Sequence, residues 1–170
     1  MKEILQYLFN HNTLSKSEAK AILTEIAQNK FNENEVTAFV TVFLMRSITL
    51  EEMEGFREAL LKLSVPADLG THDLVDIVGT GGDGKNTFNI STLASFVVAG
   101  AGQKVAKHGN YGVSTISGSS NVLEELGYQF KTKSEDLRRD LEKSNICFLH
   151  APVFHPALRS VAPLRKGLGL

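Results

Sequence analysis

The sequence predicts an α/β protein, in which a small N-terminal all-helical domain precedes the first part of a parallel α/β domain. Up to about residue 65, apolar residues recur at the spacing of amphipathic helices. Beyond that point short apolar strands alternate with helices, and a glycine-rich turn follows the first strand. We therefore expect a helical domain over residues 1–65 and an α/β domain over residues 66–170, the second cut off after about three strands.

The composition is that of an ordinary globular protein, and it argues against several classes of partner. Over 170 residues the formal net charge is −1, so no overall basic field would attract nucleic acid or acidic lipid. Cys147 is the only cysteine, which rules out an intrachain disulfide and suits a reducing compartment. No apolar run reaches membrane-spanning length, and the first residues lack a signal-peptide core. We expect a cytoplasmic protein with no membrane and no nucleic-acid partner.

Four helices are predicted in the first domain. The first helix has an apolar stripe made of Ile4, Leu5, Leu8 and Phe9. Each of the other three follows a capping-box pattern, at Ser15 with Glu18, Asn32 with Glu35, and Thr49 with Glu52. The third helix is apolar nearly all round, so we expect it to be central or to lie in an interface.

Shorter elements are predicted in the second domain, after the helical period ends near Pro66. The pattern predicts a buried strand over residues 74–78, a helix over 92–101, a strand over 104–108, a helix over 119–126 that ends at Gly127, a helix over 135–143, a strand over 146–149 and a helical turn over 156–161. Cys147 lies in the last of these strands and is expected to be buried and inert.

The glycine-rich turn over residues 79–84 predicts an anion site. Its spacing matches a dinucleotide fingerprint in part, but no acidic residue follows about twenty positions on. It also resembles a P-loop, except that Asn86 stands where Ser or Thr would hold magnesium. Both patterns share a turn whose backbone N–H groups, with the following helix N-terminus, favour phosphate. Ser91 and Thr92 then either cap that helix or contact phosphate or metal-bound water.

A second polar stretch covers residues 107–120, after the next predicted strand. Lys107 offers a positive charge, and Gly109 and Gly112 would let the backbone approach a ligand closely. Ligands of α/β sheets collect at this carboxyl edge of the strands. The alternative is a flexible polar loop, but long loops without a binding role are uncommon. The two stretches together favour one phosphate-rich site.

Several motifs together resemble the anthranilate phosphoribosyltransferase family over the whole chain. They are GTGGDG at 79–84, NIST at 89–92, KHGN at 107–110, GSSNVLEELG at 118–127 and APLRKGLG at 162–169. The resemblance implies a nucleoside-phosphorylase-like fold and a homodimer formed through the helical domain. It also implies Mg²⁺-dependent transfer of ribose 5-phosphate from phosphoribosyl pyrophosphate (PRPP) to anthranilate, a step of tryptophan biosynthesis.

The resemblance also implies roles for individual residues. The residues that would bind PRPP are Gly79, Gly82, Asp83, Thr87, Asn89, Ile90, Ser91, Thr92, Lys107, His108, Gly109, Asn110, Tyr111, Gly112, Val113, Ser114, Thr115 and Ser119. Ser91 would contact Mg²⁺. Anthranilate would be bound by Gly79, Asn110 and Arg165, the last by gripping its carboxylate. No catalytic acid or base is assigned, because an aromatic amine already has an available lone pair. We expect His108 to shape its loop or contact anthranilate, and His150 and His155 to be loop or pocket-wall residues.

The chain departs from the family pattern in places. Tyr111 stands where many relatives have Arg, and Ser120 with Asn121 stands where relatives usually have Ala-Asp. The acidic magnesium-binding pair of the family lies downstream of residue 170, so we expect the 170-residue chain alone to have little or no activity. Two alternatives stay open: a non-catalytic relative of the same fold that binds nucleic acid, and a pyrimidine nucleoside phosphorylase.

Overall fold

The computed structural model describes residues 1–70, 73–79, 87–112 and 117–169. Its contacts divide the chain into two compact units. The helical unit contains Met1–Ser64 together with His155–Leu168, and the α/β unit consists mainly of Val65–Phe154. The structure thus assigns residues 155–168 to the helical unit, whereas the sequence pattern placed them in the second domain.

The helical unit contains the four predicted helices and two short C-terminal ones. Helix α1 spans Lys2–Phe9, α2 spans Lys16–Ala27, α3 spans Glu33–Met45 and α4 spans Leu50–Leu63. The predicted turn over 156–161 is a 3₁₀ helix at Pro156–Leu158, and helix α9 over Ala162–Gly167 follows it without having been predicted. No helix in the described ranges is both long enough and apolar enough to cross a membrane.

All three predicted capping boxes are confirmed. The side chains of Ser15, Asn32 and Thr49 each accept a hydrogen bond from the backbone N–H three residues on. In each case the carboxylate of the glutamate at that third position accepts a hydrogen bond from the backbone N–H of the capping residue. Two otherwise unpaired backbone donors are satisfied at each helix start, so the sequence fixes these helix starts locally.

The core of the helical unit is built around α3. Its inner side chains Val36, Phe39 and Val42 are buried, and Leu164 of α9 belongs to the same apolar cluster. The rings of Phe39, Phe43 and Phe56 meet edge to face with centroids 5.0–6.1 Å apart. The end of α3 differs, since Leu44 and Met45 are 54% and 82% exposed. The apolar residues of α3 therefore lie partly on a face that is buried in the core and partly at an end that is exposed.

Glu52 is a fully buried carboxylate in this unit. Arg46 donates to it from both terminal nitrogens, at 2.9 and 2.6 Å, and the backbone N–H groups of Leu14 and Thr49 donate at 2.9 Å. Burial alone would raise the pKa of Glu52, but these bonds outweigh it and lower the pKa to about 2. Glu52 thereby joins the residue before Ser15 to the segment between α3 and α4.

The α/β unit is built on two parallel strands and the helices beside them. Strands β1 (Val105–Gly109) and β2 (Ile146–His150) pair from Val105 with Ile146 to Gly109 with His150. The helices are α5 over Ile90–Gly100, α6 over Ser119–Glu125, α7 over Ser134–Ser144 and α8 over Ala151–Phe154. As predicted, Gly127 follows α6 with a positive φ of 83°.

The strands of this unit are buried among apolar side chains, whereas several apolar side chains of α5 are exposed to solvent. Cys147 is buried in β2 as predicted, and this burial raises the pKa of its thiol to about 12. On α5, in contrast, Ile90, Leu93 and Val97 are 61%, 55% and 64% exposed. Their i, i+3, i+7 spacing places them on one side of the helix.

The predicted buried strand over residues 74–78 is wrong in both extent and burial. Val75 alone forms a bridge, to Val105 of β1, with hydrogen bonds of 3.0 Å. Val75 and Val78 are 40% and 61% exposed. An apolar run is buried only where a sheet has cover on its faces, and within the described ranges Leu74 packs against the core while Val75 and Val78 stay exposed.

We predict that Glu52→Gln lowers the free energy of unfolding of the helical unit by about 3 kcal/mol at pH 7, because Arg46 loses its charged partner in a buried site. The folded pKa of about 2 is below the ordinary 4.5, so this stabilisation is present above pH 4.5 and is lost as pH falls towards 2. Urea denaturation of both proteins across that range measures the difference.

The matched control is Glu51→Gln, since Glu51 is an exposed carboxylate in the same turn of α4. It should change the free energy of unfolding by less than about 0.5 kcal/mol. An equal effect of the two substitutions, or a difference that does not shrink on acidification, would contradict the role given to Glu52.

Candidate functional site

Two polar segments meet at the carboxyl end of β1. One is the segment that leads from Val75 to the glycine-rich turn, and the other is the second polar stretch. After the bridge at Val75 they are joined by hydrogen bonds that involve side chains. Asp76 Oδ1 accepts from the backbone N–H of His108 at 3.1 Å. Asp76 Oδ2 lies 2.8 Å from His108 Nδ1. Lys107 Nζ donates to the carbonyl of Ile77 at 2.7 Å. These contacts hold the residues that precede the glycine-rich turn against the start of the second polar stretch.

Lys107 is almost completely buried, with 2% of its surface exposed. Besides Ile77, its amino group donates to the carbonyl of His108 at 3.3 Å. Burial lowers the pKa of Lys107, and the nearby charge of Asp76 opposes that shift. The amino group is therefore a buried donor that fixes the backbone two residues before Gly79.

The start of α5 lies close to the same segment. The helix begins at Ile90 after the N-cap Asn89, so the alternative in which Ser91 or Thr92 caps it is wrong. Both lie in the first turn, because the amides of Thr92 and Leu93 already bond to the carbonyl of Asn89 at 3.1 Å. A Cβ at Gly79 would lie 3.9 Å from Ser91 Oγ. The Ser91 hydroxyl is thus adjacent to the end of the segment that leads into the glycine-rich turn.

Thr92 has an unusual hydroxyl in this first turn. The residue is 3% exposed, and its Oγ1 has no hydrogen-bond partner among the described residues. A buried hydroxyl without a partner costs free energy unless something else bonds to it. A ligand oxygen or a water at the start of α5 would satisfy it.

The second polar stretch is organised by Asn110 and Asn121. The amide of Tyr111 donates to Asn110 Oδ1 at 2.8 Å, and the carbonyl of Asn110 accepts from the amide of Ser120 at 3.1 Å. Asn121 Oδ1 accepts from the amides of Gly112 and Gly118, at 3.0 and 2.9 Å. One side chain therefore draws together residues 112 and 118, at the two described ends of this stretch.

Close packing explains two of the glycines here. A Cβ on Gly118 would overlap backbone atoms of Gly112 and Asn110, and one on Gly109 would overlap the side chain of Ser119. For Gly109 the sequence pattern predicted close approach to a ligand, whereas the contact found here is with Ser119 of the same chain. Glycine is required at 118 because two backbone segments cross there.

The other predicted site residues are distributed as follows. Thr87 is exposed ahead of α5, Ile90 is exposed as the first residue of α5, and Arg165 is exposed on α9 of the helical unit. Gly82, Asp83, Val113, Ser114 and Thr115 lie outside the described residues. No cluster of three or more His, Cys, Asp or Glu side chains that could hold a metal ion occurs in the described ranges.

The sequence patterns missed several residues that shape this region. Asp76 and Asn121 bond to the polar stretches without having been assigned a role, and His150, which was expected only to shape a loop or pocket wall, bonds to Ser120. A signal was available for Asp76, because a carboxylate within an apolar run needs a partner. No local signal was available for His150, since Ser120, which it bonds, is 30 residues away in the sequence.

Two protein-family models match the chain. The glycosyl transferase family helical bundle domain matches residues 2–64. The glycosyl transferase family a/b domain matches residues 71–170. The two matches follow each other along the chain in the same order as the two units described above.

Individual proteins agree with these models. The anthranilate phosphoribosyltransferase of Cytophaga hutchinsonii is 59% identical over 170 residues, which cover all of this chain and 52% of that protein. The crystal structure of the Thermus thermophilus enzyme of that name has a TM-score of 0.84 and 34% identity, covering 98% of this chain and 50% of that one. The Saccharomyces cerevisiae enzyme in complex with PRPP and Mg also has a TM-score of 0.84, with 31% identity and the same coverage. The chain thus spans about half the length of the relatives it matches.

We predict that Gly118→Ala lowers the free energy of unfolding of the α/β unit by about 1–3 kcal/mol, because the added methyl group would displace backbone at Gly112 and Asn110. Urea denaturation followed by circular dichroism measures it. Gly100→Ala is the control, since a Cβ there meets no atom within 4 Å, and it should be neutral or stabilising by up to about 1 kcal/mol. Equal effects would contradict the packing described at Gly118.

Proposed function

The chain belongs to the glycosyl transferase family, and from that premise we propose that it supplies the PRPP-binding part of an anthranilate phosphoribosyltransferase. The whole protein would transfer ribose 5-phosphate from PRPP to the amine of anthranilate, within tryptophan biosynthesis in the cytoplasm. The names of the relatives support the choice of substrates, and PRPP with Mg is bound by the yeast enzyme.

One observation carries the proposal for this chain. Asp76 and Ile77, which precede the glycine-rich turn, bond directly to His108 and Lys107, which begin the second polar stretch. Two backbone segments rich in N–H and hydroxyl groups therefore start from one place. A sugar that carries several phosphoryl groups needs such convergent donors, and the N-terminus of α5 adds positive potential beside them.

The chemistry asks these segments to bind and orient rather than to exchange protons. The bond from the ribose carbon to pyrophosphate breaks, the amine nitrogen forms the new bond to that carbon, and the amine then loses a proton. Most of the rate enhancement would come from stabilising the departing pyrophosphate and holding the amine in line. The weakly basic aromatic amine needs no strong base before it reacts, so we assign no catalytic base.

Magnesium is compatible with the residues present. Mg²⁺ prefers oxygen ligands and usually keeps bonds to water and substrate phosphates rather than to an all-protein cage. Ser91 supplies a hydroxyl beside Gly79, and Thr92 supplies a buried hydroxyl that has no described partner. We propose that Ser91 contacts the ion while PRPP oxygens fill most of its coordination. The ion would then neutralise charge on the leaving pyrophosphate.

The remaining assignments rest on the family resemblance and stay proposals. Gly79, Asn110 and Arg165 would bind anthranilate, with the exposed guanidinium of Arg165 suited to a carboxylate. A homodimer would form through the helical unit. The exposed apolar side chains at the end of α3 and the start of α4, Leu44, Met45, Leu50 and Met53, support such an interface.

The activity is tested with a hybrid protein, in which this chain replaces the matching 170 residues of the Cytophaga hutchinsonii relative. We predict that the hybrid consumes anthranilate only when PRPP and Mg²⁺ are both present, followed as the loss of anthranilate fluorescence. The 170-residue chain alone should show little or no turnover.

The unmodified relative serves as the positive control. A folded hybrid with no turnover beside an active relative would contradict the proposed function. Phosphorolysis of thymidine by the hybrid would favour the pyrimidine nucleoside phosphorylase alternative. A salt-sensitive shift of single-stranded DNA by the chain would favour the nucleic-acid-binding alternative.

We further predict that Lys107→Ala weakens PRPP binding to the hybrid at least about tenfold, because the carbonyl of Ile77 loses the donor that fixes the approach to Gly79. Titration calorimetry in the presence of Mg²⁺ measures the change. Lys143→Ala, which removes an exposed lysine from the last turn of α7, is the matched control and should leave the affinity unchanged. An unchanged affinity in Lys107→Ala would remove this lysine from the site.

A further inference from the structure

Ser120 and His150 form a buried polar pair next to the second polar stretch. Ser120 is 1% exposed and His150 is 6% exposed, and Ser120 Oγ lies 2.9 Å from His150 Nδ1. Both residues are unusual at their places, since Ser120 puts an almost completely buried hydroxyl in the first turn of α6 and His150 ends a strand that is otherwise apolar. A buried polar pair costs desolvation on both sides, so its presence calls for a physical role.

The surroundings of His150 hold its ring in one orientation. Phe130 stacks on it with centroids 4.1 Å apart and an angle of 11°, and the ring of Tyr111 meets it edge to face at 5.0 Å. The Tyr111 hydroxyl donates to Glu124 Oε1 at 2.6 Å. Burial lowers the pKa of His150, with Glu124 opposing the shift. A neutral imidazole pairs with a hydroxyl without leaving a charge in the site.

The pair connects two elements that flank β1. His150 ends β2 and is in register with Gly109, whereas Ser120 lies in the first turn of α6. The amide of Ser120 also bonds to the carbonyl of Asn110, and the next residue, Asn121, binds the amides of Gly112 and Gly118. The hydrogen bond between Ser120 and His150 therefore fixes the start of α6 to the end of β2. The start of α6 in turn binds the amides of Gly112 and Gly118 through Asn121.

We propose that Ser120 and His150 are positioning residues for Asn110, Gly112 and Gly118, which are described residues of the second polar stretch. Their hydrogen bond fixes the start of α6 and with it the amides of Gly112 and Gly118. The part of the inference that concerns PRPP affinity rests on the proposed function. Tyr111 bonds to Glu124 of α6 and packs against the ring of His150. Its side chain therefore contributes to the same connection between α6 and β2.

A double-mutant cycle separates positioning from simple core packing. Ser120→Ala leaves a buried imidazole nitrogen unpaired, and His150→Phe leaves a buried hydroxyl unpaired, so each single change should destabilise the unit. The double variant removes both polar groups and keeps an aromatic ring against Phe130, so its stability should recover. The connecting hydrogen bond is nevertheless absent from all three variants.

The experiment uses the full 170-residue chain and amide hydrogen exchange. We expect the amides of Gly112, Gly118 and Ser120 to exchange at least about fivefold faster in both single variants and in the double variant, even where stability has recovered. The amide of Val105, which bonds to Asn145 at the sheet, should exchange as in the wild type in the double variant. Ser144→Ala is the control, since it removes a serine hydroxyl of α7 that bonds to the carbonyls of Asp140 and Ile146 in the same unit and to none of the three amides.

Two results would overturn the proposal. One is unchanged exchange at the three amides in Ser120→Ala. The other is exchange that returns to the wild-type rate in the double variant, because the pair would then act through packing alone. Calorimetry of the hybrid with PRPP and Mg²⁺ provides a second measure, with affinity expected to fall at least about fivefold in all three variants. A hybrid without substitutions that binds no PRPP would count against the proposed function, while the exchange rates would still decide the positioning role.

Discussion

The candidate site depends on the hydrogen bonds that join Lys107 and His108 to Ile77 and Asp76. Among the described residues the backbone ladder with β1 ends at the bridge of Val75, and from there towards Gly79 the contact is made through the side chains of Asp76 and Lys107. A buried lysine is a costly way to hold a carbonyl, since its charge loses hydration. The cost is offset here because the lysine fixes Ile77, for which the described part of the chain shows no strand pairing. That contact places Gly79 next to the hydroxyl of Ser91 at the start of α5.

The sequence predicted those parts of the molecule that are decided locally. The capping boxes at Ser15, Asn32 and Thr49 depend on residues three apart, and all three were predicted and are present. Parallel strands at β1 and β2 also followed from the alternation of apolar strands with helices. The strand over 74–78 was overpredicted, because an apolar run does not say whether a sheet will cover it. The start of α5 was placed two residues late, because Ser91 and Thr92 resemble caps while Asn89 takes that position.

The candidate site also contains parts that the sequence predicted and parts that only the folded structure reveals. The two polar stretches were identified from glycine, hydroxyl and lysine content, but their internal pairings were not. The side chain of Asn121 bonds to the amide of Gly112, nine residues earlier, and Ser120 bonds to His150, 30 residues later. Each contact depends on the fold that brings the two segments together. The same holds in the helical unit, where Glu52 finds Leu14 across 38 residues. Buried polar groups of this kind are set by tertiary structure and specify it in return.

Cys147 carries one practical consequence for studying this chain. Its thiol is buried in β2 and its pKa is about 12, so almost none of it is thiolate at neutral pH and maleimides will not reach it. Because the sequence has no second cysteine, a single thiol introduced at an exposed position would react alone on the native background. Fluorophores or spin labels can thus be attached at one chosen place without first replacing a native residue.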